Sequence, residues 1–308
     1  MSHATSQDNT LIEPTIPGQE ILLHGAQIAF SVSESDDLEH LKLSGKDLDT
    51  TVEKMAVGLI SAGATIAYAG DLRTTGFTEL LARIADKWKI PGTKNYRFIN
   101  YFTQPDIKLV TADQLTDFLL KHVNMKVLKM PPHLAKRELS KKGVSNITDD
   151  KYLLAECYMD MRMQITANTY ARVMLGGRLN NYAGYQPGLI EEAYCSIQMR
   201  KPLFLLGGFG GSAAAIVKML TGEEVKELKH ADTGAFKPEI IPTSPIPLDH
   251  DGISAFFHAH GVKGISDHNG LSPEENETLF KSADPDVLLG LVLKGLKTLS
   301  DKKTQTEY

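Results

Sequence analysis

Residues 171–194 read ARVMLGGRLNNYAGYQPGLIEEAY. Val173-Met174-Leu175 has the length and apolar character of a short buried strand, and Gly176-Gly177 stands at its C-terminal end. A polar, tyrosine-bearing loop then crosses to Pro187-Gly188, where a helix opens. Glu191 and Glu192 lie in its first turn, and Ala193, Tyr194 and Ile197 carry it on. Proline is tolerated just before or in the first turn of a helix but not inside it, which sets the boundary. A strand, glycines and a helix N-terminus are the parts of an anion-binding site. Glycine lets a ligand approach the backbone, and the free N–H groups and positive dipole end of the helix favour a phosphate.

The pattern recurs downstream. Pro202 to Leu206 is an apolar strand, Gly207-Gly208-Phe209-Gly210-Gly211-Ser212 a glycine-rich turn, and Ala213 to Leu220 a helix without charge before Lys218. Two consecutive strand–glycine–helix units predict a parallel sheet with ligands at the carboxyl ends of its strands. The expected fold class is α/β: a Rossmann-like doubly wound parallel sheet with helices on both faces and a C-terminal helical extension.

The chain has 308 residues, of which 42% are hydrophobic. That suffices for one large α/β domain or two small ones. A net charge of −5 opposes a surface built for nucleic acid. No apolar run approaches membrane-spanning length, and MSHATSQDNTLIEPTIPGQE lacks the basic and apolar segments of a signal peptide. Cys157 and Cys195 suit a reduced cytoplasmic setting as buried thiols.

Residues 1–19 read as a polar tail. Residues 20–221 are expected to form the Rossmann-like α/β domain, 222–300 a C-terminal extension packed on it, and 301–308 a frayed tail. Within the domain, Ile21 to Val32 is the first strand, ending in Ser31-Val32-Ser33-Glu34-Ser35. Its serines either reach a phosphate or ribose or cap the next turn. Leu48 to Ala62 is an amphipathic helix and Thr65 to Tyr68 the second strand. A glycine-bearing loop, Ala69 to Glu79, follows, with Thr75 or Thr78 as cap of the next helix. In that loop Arg73 either neutralises an anion or makes a surface salt bridge. Tyr96 to Tyr101 is a third strand, Leu109-Val110 an edge strand, and Leu115 to Val123 a short helix. An irregular connector carries the solvated pairs Lys136-Arg137 and Lys141-Lys142. Asp149 or Asp150 caps a long helix to Thr169, in which Met159, Met161 and Met163 pack the core around Arg162. Ser254 to His260 is a short helix, Ser272-Pro273-Glu274-Glu275 opens another as a capping box, and Asp284 to Leu299 is the last. Asp249, His250, Asp251, His258, His260 and His268 crowd one stretch without a familiar metal-ligand spacing, so neither a metal nor a cofactor is assigned.

Taken in order, Ser31–Ser33, Gly70-Asp71-Leu72-Arg73, Met161-Arg162, Gly176-Gly177-Arg178, Pro187-Gly188, Glu191-Glu192 and Gly207–Gly211 resemble the SLOG superfamily. That superfamily includes phosphoribohydrolases of the Lonely Guy type and DprA-like proteins. The nearest resemblance is to nucleotide-sensor domains of antiviral systems with TIR- or sirtuin-type effectors. Glu274-Glu275-Asn276 to Leu279-Phe280 resembles part of the same family. The resemblance implies cytosolic binding of a nucleotide-derived small molecule of the ADP-ribose or cyclic ADP-ribose type in bacterial defence or signalling. A homodimer or higher homo-oligomer, or a TIR- or other effector-type partner, would carry the output.

By the same resemblance the ligand-binding set is Ser31, Ser33, Gly70, Asp71, Arg73, Gly76, Phe77, Arg162, Gly176, Gly177, Arg178, Tyr185, Pro187, Gly188, Glu191, Glu192 and Gly207, Gly208, Phe209, Gly210 and Gly211. The alternative is a Lonely Guy-like hydrolase of the N-glycosidic bond in nucleoside 5'-monophosphates, with Arg162 and Glu192 as catalytic residues. The family's PGGxGTxxE loop is altered here: an insertion, Arg178 to Gln186, splits it, and Leu189 stands where the threonine would be. A DprA-like single-strand DNA binder is disfavoured by the net charge.

Overall fold

The computed structural model describes residues 22–89, 95–121, 123–134, 151–229 and 245–306. The expected N-terminal tail, the basic pairs at 136–142 and the Asp149/Asp150 cap lie outside the described residues.

Six strands form one all-parallel sheet: β1 (Gln27–Ser33), β2 (Thr65–Tyr68), β3 (Phe98–Thr103), β4 (Asn124–Leu128), β5 (Ala171–Gly176) and β6 (Leu203–Leu206). Their order is β4-β3-β2-β1-β5-β6. The chain walks outward from β1 to β4, then returns to the other side of β1 as β5. β1 and β5 run in register from Ile28↔Ala171 to Ser33↔Gly176. Where the winding direction reverses, the helices that follow the two strands depart to opposite faces and leave a crevice at the strand C-termini.

Pleat alternation builds a core on each face. Ile28, Phe30 and Val32 point to one face, where α1 (Gly45–Ser61) and α2 (Phe77–Asp86) bury Val52, Met55, Leu59, Leu81 and Ile84. Ala29, Ala67, Ile99 and Tyr101 point to the other, against Met161 and Ile165 of α5 (Lys151–Asn168). Beside that helix, α6 (Gly188–Gln198) and α7 (Gly211–Thr221) cover Met174, Leu203 and Leu205. Two short helices, α3 (Gln104–Ile107) and α4 (Ala112–Leu119), connect β3 to β4.

The C-terminal part adds α8 (His250–Asn269), α9 (Pro273–Lys281) and α10 (Pro285–Thr306). α8 breaks at Gly261, where φ is 62°. A buried amide pair ties these helices to the sheet. Asn269 Nδ2 donates to Leu203 O (3.1 Å) and to Asn276 Oδ1 (2.7 Å), and Asn276 Nδ2 donates to Ser272 O (3.1 Å). Ser272 and Glu275 form the expected capping box of α9.

Several boundaries differ from the sequence reading. β1 starts at Gln27 because residues 22–25 form a turn. α1 starts earlier than Leu48 because Ser44 and Asp47 make a capping box. Neither Thr75 nor Thr78 caps α2; its N-cap is Gly76, without a side-chain bond. Leu109-Val110 is not a strand, and Leu109 is 65% exposed. The edge strand is β4, in the segment expected to be irregular; its half-exposed residues hide the strand signal. α8 extends well past His260, and α10 runs through the expected tail to Thr306.

Candidate functional site

A cavity of about 600 Å³ opens at the switch point between β1 and β5. Ser31 and Ser33 from β1 and Glu192 from α6 form its inner wall, with Arg162 of α5 beside them. The β2–α2 loop, from Gly70 to Phe77, makes one side; Arg178, Gly188 and Leu189 make the other. Tyr101, Asp106 and Tyr158 line the outer end.

Two arginine–glutamate pairs, of which Arg162 and Glu192 reach the cavity, support the inner wall. Arg162 Nη1 bonds Glu191 Oε2, and Glu191 is fully buried. Glu191 Oε1 also accepts from the Gln186 backbone N–H at 2.7 Å. Burial pushes the Glu191 carboxyl up, against the opposing pull of the Arg162 guanidinium. Arg172 of β5, only 2% exposed, holds the second carboxylate. Its Nη1 donates to Glu192 Oε2 and to Ser31 Oγ, both at 2.7 Å, and the Ser31 hydroxyl donates in turn to Glu192 Oε2. Arg162 Nε has no hydrogen-bond partner and lies 3.9 Å from Glu192 Oε1. Cys195 packs nearby as a thiol that burial pushes up to about 12. Tyr68 donates its hydroxyl to Val32 O (2.9 Å), and burial followed by the Glu192 and Asp71 charges raises it.

Two helix N-termini border the cavity, and neither carries a side-chain cap. α2 begins after Gly76 and α6 after Pro187. Elsewhere Ser44, Thr103, Thr111, Asp249 and Ser272 cap the helices that follow them, and Asp37 Oδ2 accepts from the Gly211 N–H at the start of α7 (2.7 Å). Unbonded N–H groups at a helix start attract anions. Two arginines stand at the mouth. Arg73 Nε pairs with Asp71 (2.8 Å), and Arg178 Nη2 pairs with Glu34 across the gap between the β5 and β1 loops. Both pairs are exposed, so each contributes about 1 kcal/mol or less and is readily exchanged for a ligand anion.

Of the residues expected at the ligand, Ser31, Ser33, Gly70, Asp71, Arg73, Gly76, Phe77, Arg162, Arg178, Gly188 and Glu192 lie on the cavity wall. The others stand behind it. Tyr185 is 2% exposed and donates to Glu156. Pro187 is the N-cap of α6, and Glu191 is spent on Arg162. Gly176 and Gly177, at φ 64° and 101°, turn the chain under Leu189 and Ser212. Gly207 and Gly208 lie against Phe280 O and Ser282 O, Phe209 is fully buried, and Gly210 and Gly211 pack on Asp37 and on the 176–177 turn. The second glycine turn therefore seats the C-terminal helices. Sequence reasoning missed Arg172, Tyr68, Tyr101, Asp106 and Tyr158. Of these only Arg172 carried a signal: a charge inside a strand that is otherwise apolar.

Among the described residues no helix is long and apolar enough to cross a membrane. A 77-residue stretch is 39% identical to V-type proton ATPase subunit c' of Saccharomyces cerevisiae, covering 24% of this chain and 46% of that protein. The chain thus spans less than half of that relative. The model of the family described as SLOG cluster2 matches residues 22–279, from the turn before β1 into α9. With the all-parallel sheet and the cavity at its switch point, that match places the site within the family's matched region: the chain belongs to the SLOG family.

Proposed function

We propose that this chain, whose SLOG membership indicates binding or processing of a nucleotide-related ligand, is a binding module for a nucleotide-derived small molecule of the ADP-ribose or cyclic ADP-ribose type. The observation that carries this reading is the pair of uncapped helix N-termini, α2 and α6, bordering one cavity. A diphosphate fits the two helix starts, with Arg73 and Arg178 moving from Asp71 and Glu34 to its oxygens. The ribose hydroxyls would meet Glu192 and Ser33. The base would lie toward Tyr158, whose partly exposed ring can stack on it. Sensing follows if binding shifts the position of the 178–186 loop and with it an oligomer or effector-partner equilibrium in a cytoplasmic defence or signalling setting. That loop is tied to the C-terminal part, since Gln186 Nε2 donates to Pro247 O (3.0 Å) and Leu248 O (2.9 Å).

One observation favours hydrolysis of an N-glycosidic bond as the second reading. Glu192 is held at the cavity wall by Arg172 and Ser31, with a further arginine beside it, which is how a carboxylate is fixed to face an oxocarbenium-like transition state. The inserted loop and Leu189 are the departures that favour binding over turnover. Incubation with AMP and ADP-ribose, followed by chromatography of the products, separates the two. Intact ligand supports the sensor, and free base released by the wild type but not by Glu192→Gln supports the hydrolase.

A further inference from the structure

Arg172 never reaches the cavity, yet it is among the most connected side chains near it. Four of its five N–H groups are placed: Nε on Ser196 Oγ (3.0 Å), Nη1 on Ser31 Oγ and Glu192 Oε2 (2.7 Å each), and Nη2 on Thr166 Oγ1 (2.8 Å). The three hydroxyls are oriented. Thr166 donates its own hydrogen to Arg162 O (2.8 Å), Ser196 donates to Glu192 O (2.9 Å), and Ser31 donates to the Glu192 carboxylate. Each therefore presents only lone pairs to Arg172. The guanidinium sits in a cradle contributed by β1, α5 and α6, and its one charged partner is Glu192.

Arg162 cannot take over this task. Its Nη1 is engaged by the fully buried Glu191, and its nearest approach to Glu192 is 3.9 Å, from Nε. We propose that Arg172 is a positioning residue. From behind the cavity wall it holds the Glu192 carboxylate in one orientation toward the ligand, while Arg162 serves Glu191. The division of the two arginines between the two adjacent glutamates is the new element; its functional consequence rests on the reading that Glu192 meets the ligand.

Removal of Arg172 leaves a largely buried carboxylate without its counter-ion, a more damaging state than losing both partners together. The test uses the full chain in five forms: wild type, Arg172→Met, Arg172→Lys, Glu192→Gln and the Arg172→Met/Glu192→Gln double variant. The first readout needs no ligand. The thermal midpoint of Arg172→Met should fall below wild type near neutral pH. It should recover in part when Glu192→Gln is added. The second readout is ADP-ribose affinity by calorimetry. Arg172→Met should lose about tenfold or more, and Arg172→Lys should restore most of the affinity.

If wild type binds ADP-ribose and Arg172→Met binds it equally well, the positioning role is wrong. If wild type does not bind ADP-ribose, the ligand reading fails and the thermal cycle decides alone. Rescue by Glu192→Gln upholds the pairing, and strict additivity of the two substitutions overturns it.

Discussion

Gly188 lies directly against the Arg162 guanidinium: a Cβ at residue 188 would come within 2.9 Å of Nη2. Gly184 meets the same group, its Cβ position 2.9 Å from Nη1. Gly184 and Gly188 are thus both seats for an arginine, which in turn holds Glu191 in the first turn of α6. Gly188→Ala forces the guanidinium aside while it is bonded to a buried carboxylate. Overpacking of this kind costs about 1–3 kcal/mol. The expected outcome in a denaturant titration is a lower midpoint with an unchanged slope, together with weaker ADP-ribose binding by calorimetry.

Gly76 offers a converse substitution. Its φ is −88°, so any residue fits, and its Cβ position is free of close contacts. Gly76→Asp supplies the side-chain cap that α2 lacks and places an anion at the helix start. It should stabilise the fold by about 0.3–1 kcal/mol and at the same time abolish binding of a diphosphate ligand, by filling the N–H groups and repelling the charge. A rise in thermal midpoint with retained affinity would show that the α2 N-terminus is not used.

The amide pair Asn269–Asn276 is a structural lock. Asn276→Ala removes one of the two acceptors of Asn269 Nδ2 in a fully buried setting and leaves one of its N–H groups unpaired, since the other stays on Leu203 O. Leaving one buried polar group unsatisfied costs about 1–3 kcal/mol. Hydrogen exchange should show faster opening of α8 and α9 than in wild type, with the β1–β5 amides unchanged under native conditions.

His260 gives the molecule an acid-side sensitivity. Burial lowers its pKa from the ordinary 6.5, and the neighbouring His268, whose ring stacks on it at 6.3 Å between centroids, lowers it further; the Gly264 backbone and Asp267 act in the opposite direction. Lys263 is held by Asp267 at 2.7 Å. A base whose folded pKa is depressed is protonated first in the unfolded chain. Its contribution is fully present above the unfolded value and is lost as the pH falls through 6.5 toward the folded value. Thermal midpoints measured across that window should decline, and His260→Gln should flatten the decline. A midpoint that rises on acidification in wild type would reverse the sign.

The sheet was legible because its strands are short and apolar and three of them, β2, β5 and β6, run into glycine, so five of the six could be placed and their parallel order inferred from the strand–helix alternation. The sixth, β4, was not, because an edge strand faces solvent and Asn124 to Leu128 lacks a continuous apolar run. The candidate site was legible in type more than in assignment. Glycine announces that something comes close; it does not say what. At Gly188 the visitor is Arg162, at Gly208 it is the backbone of Ser282, and at Gly70 and Gly76 the loop itself edges the cavity. Arg172 escaped notice because its partners, Ser31, Thr166, Ser196 and Glu192, come from three different elements, one of them 141 residues away. No local pattern encodes that convergence.

In the proposed function, the cavity at the β1–β5 switch point holds a nucleotide diphosphate ligand without consuming it. Calorimetric titration of the purified chain with ADP-ribose, with the ligand recovered afterwards and chromatographed, tests it most directly. The account predicts saturable binding, lost in Arg178→Ala and in Gly76→Asp, with ADP-ribose returned intact. Absence of binding at millimolar ligand, or recovery of hydrolysed products in its place, would contradict it.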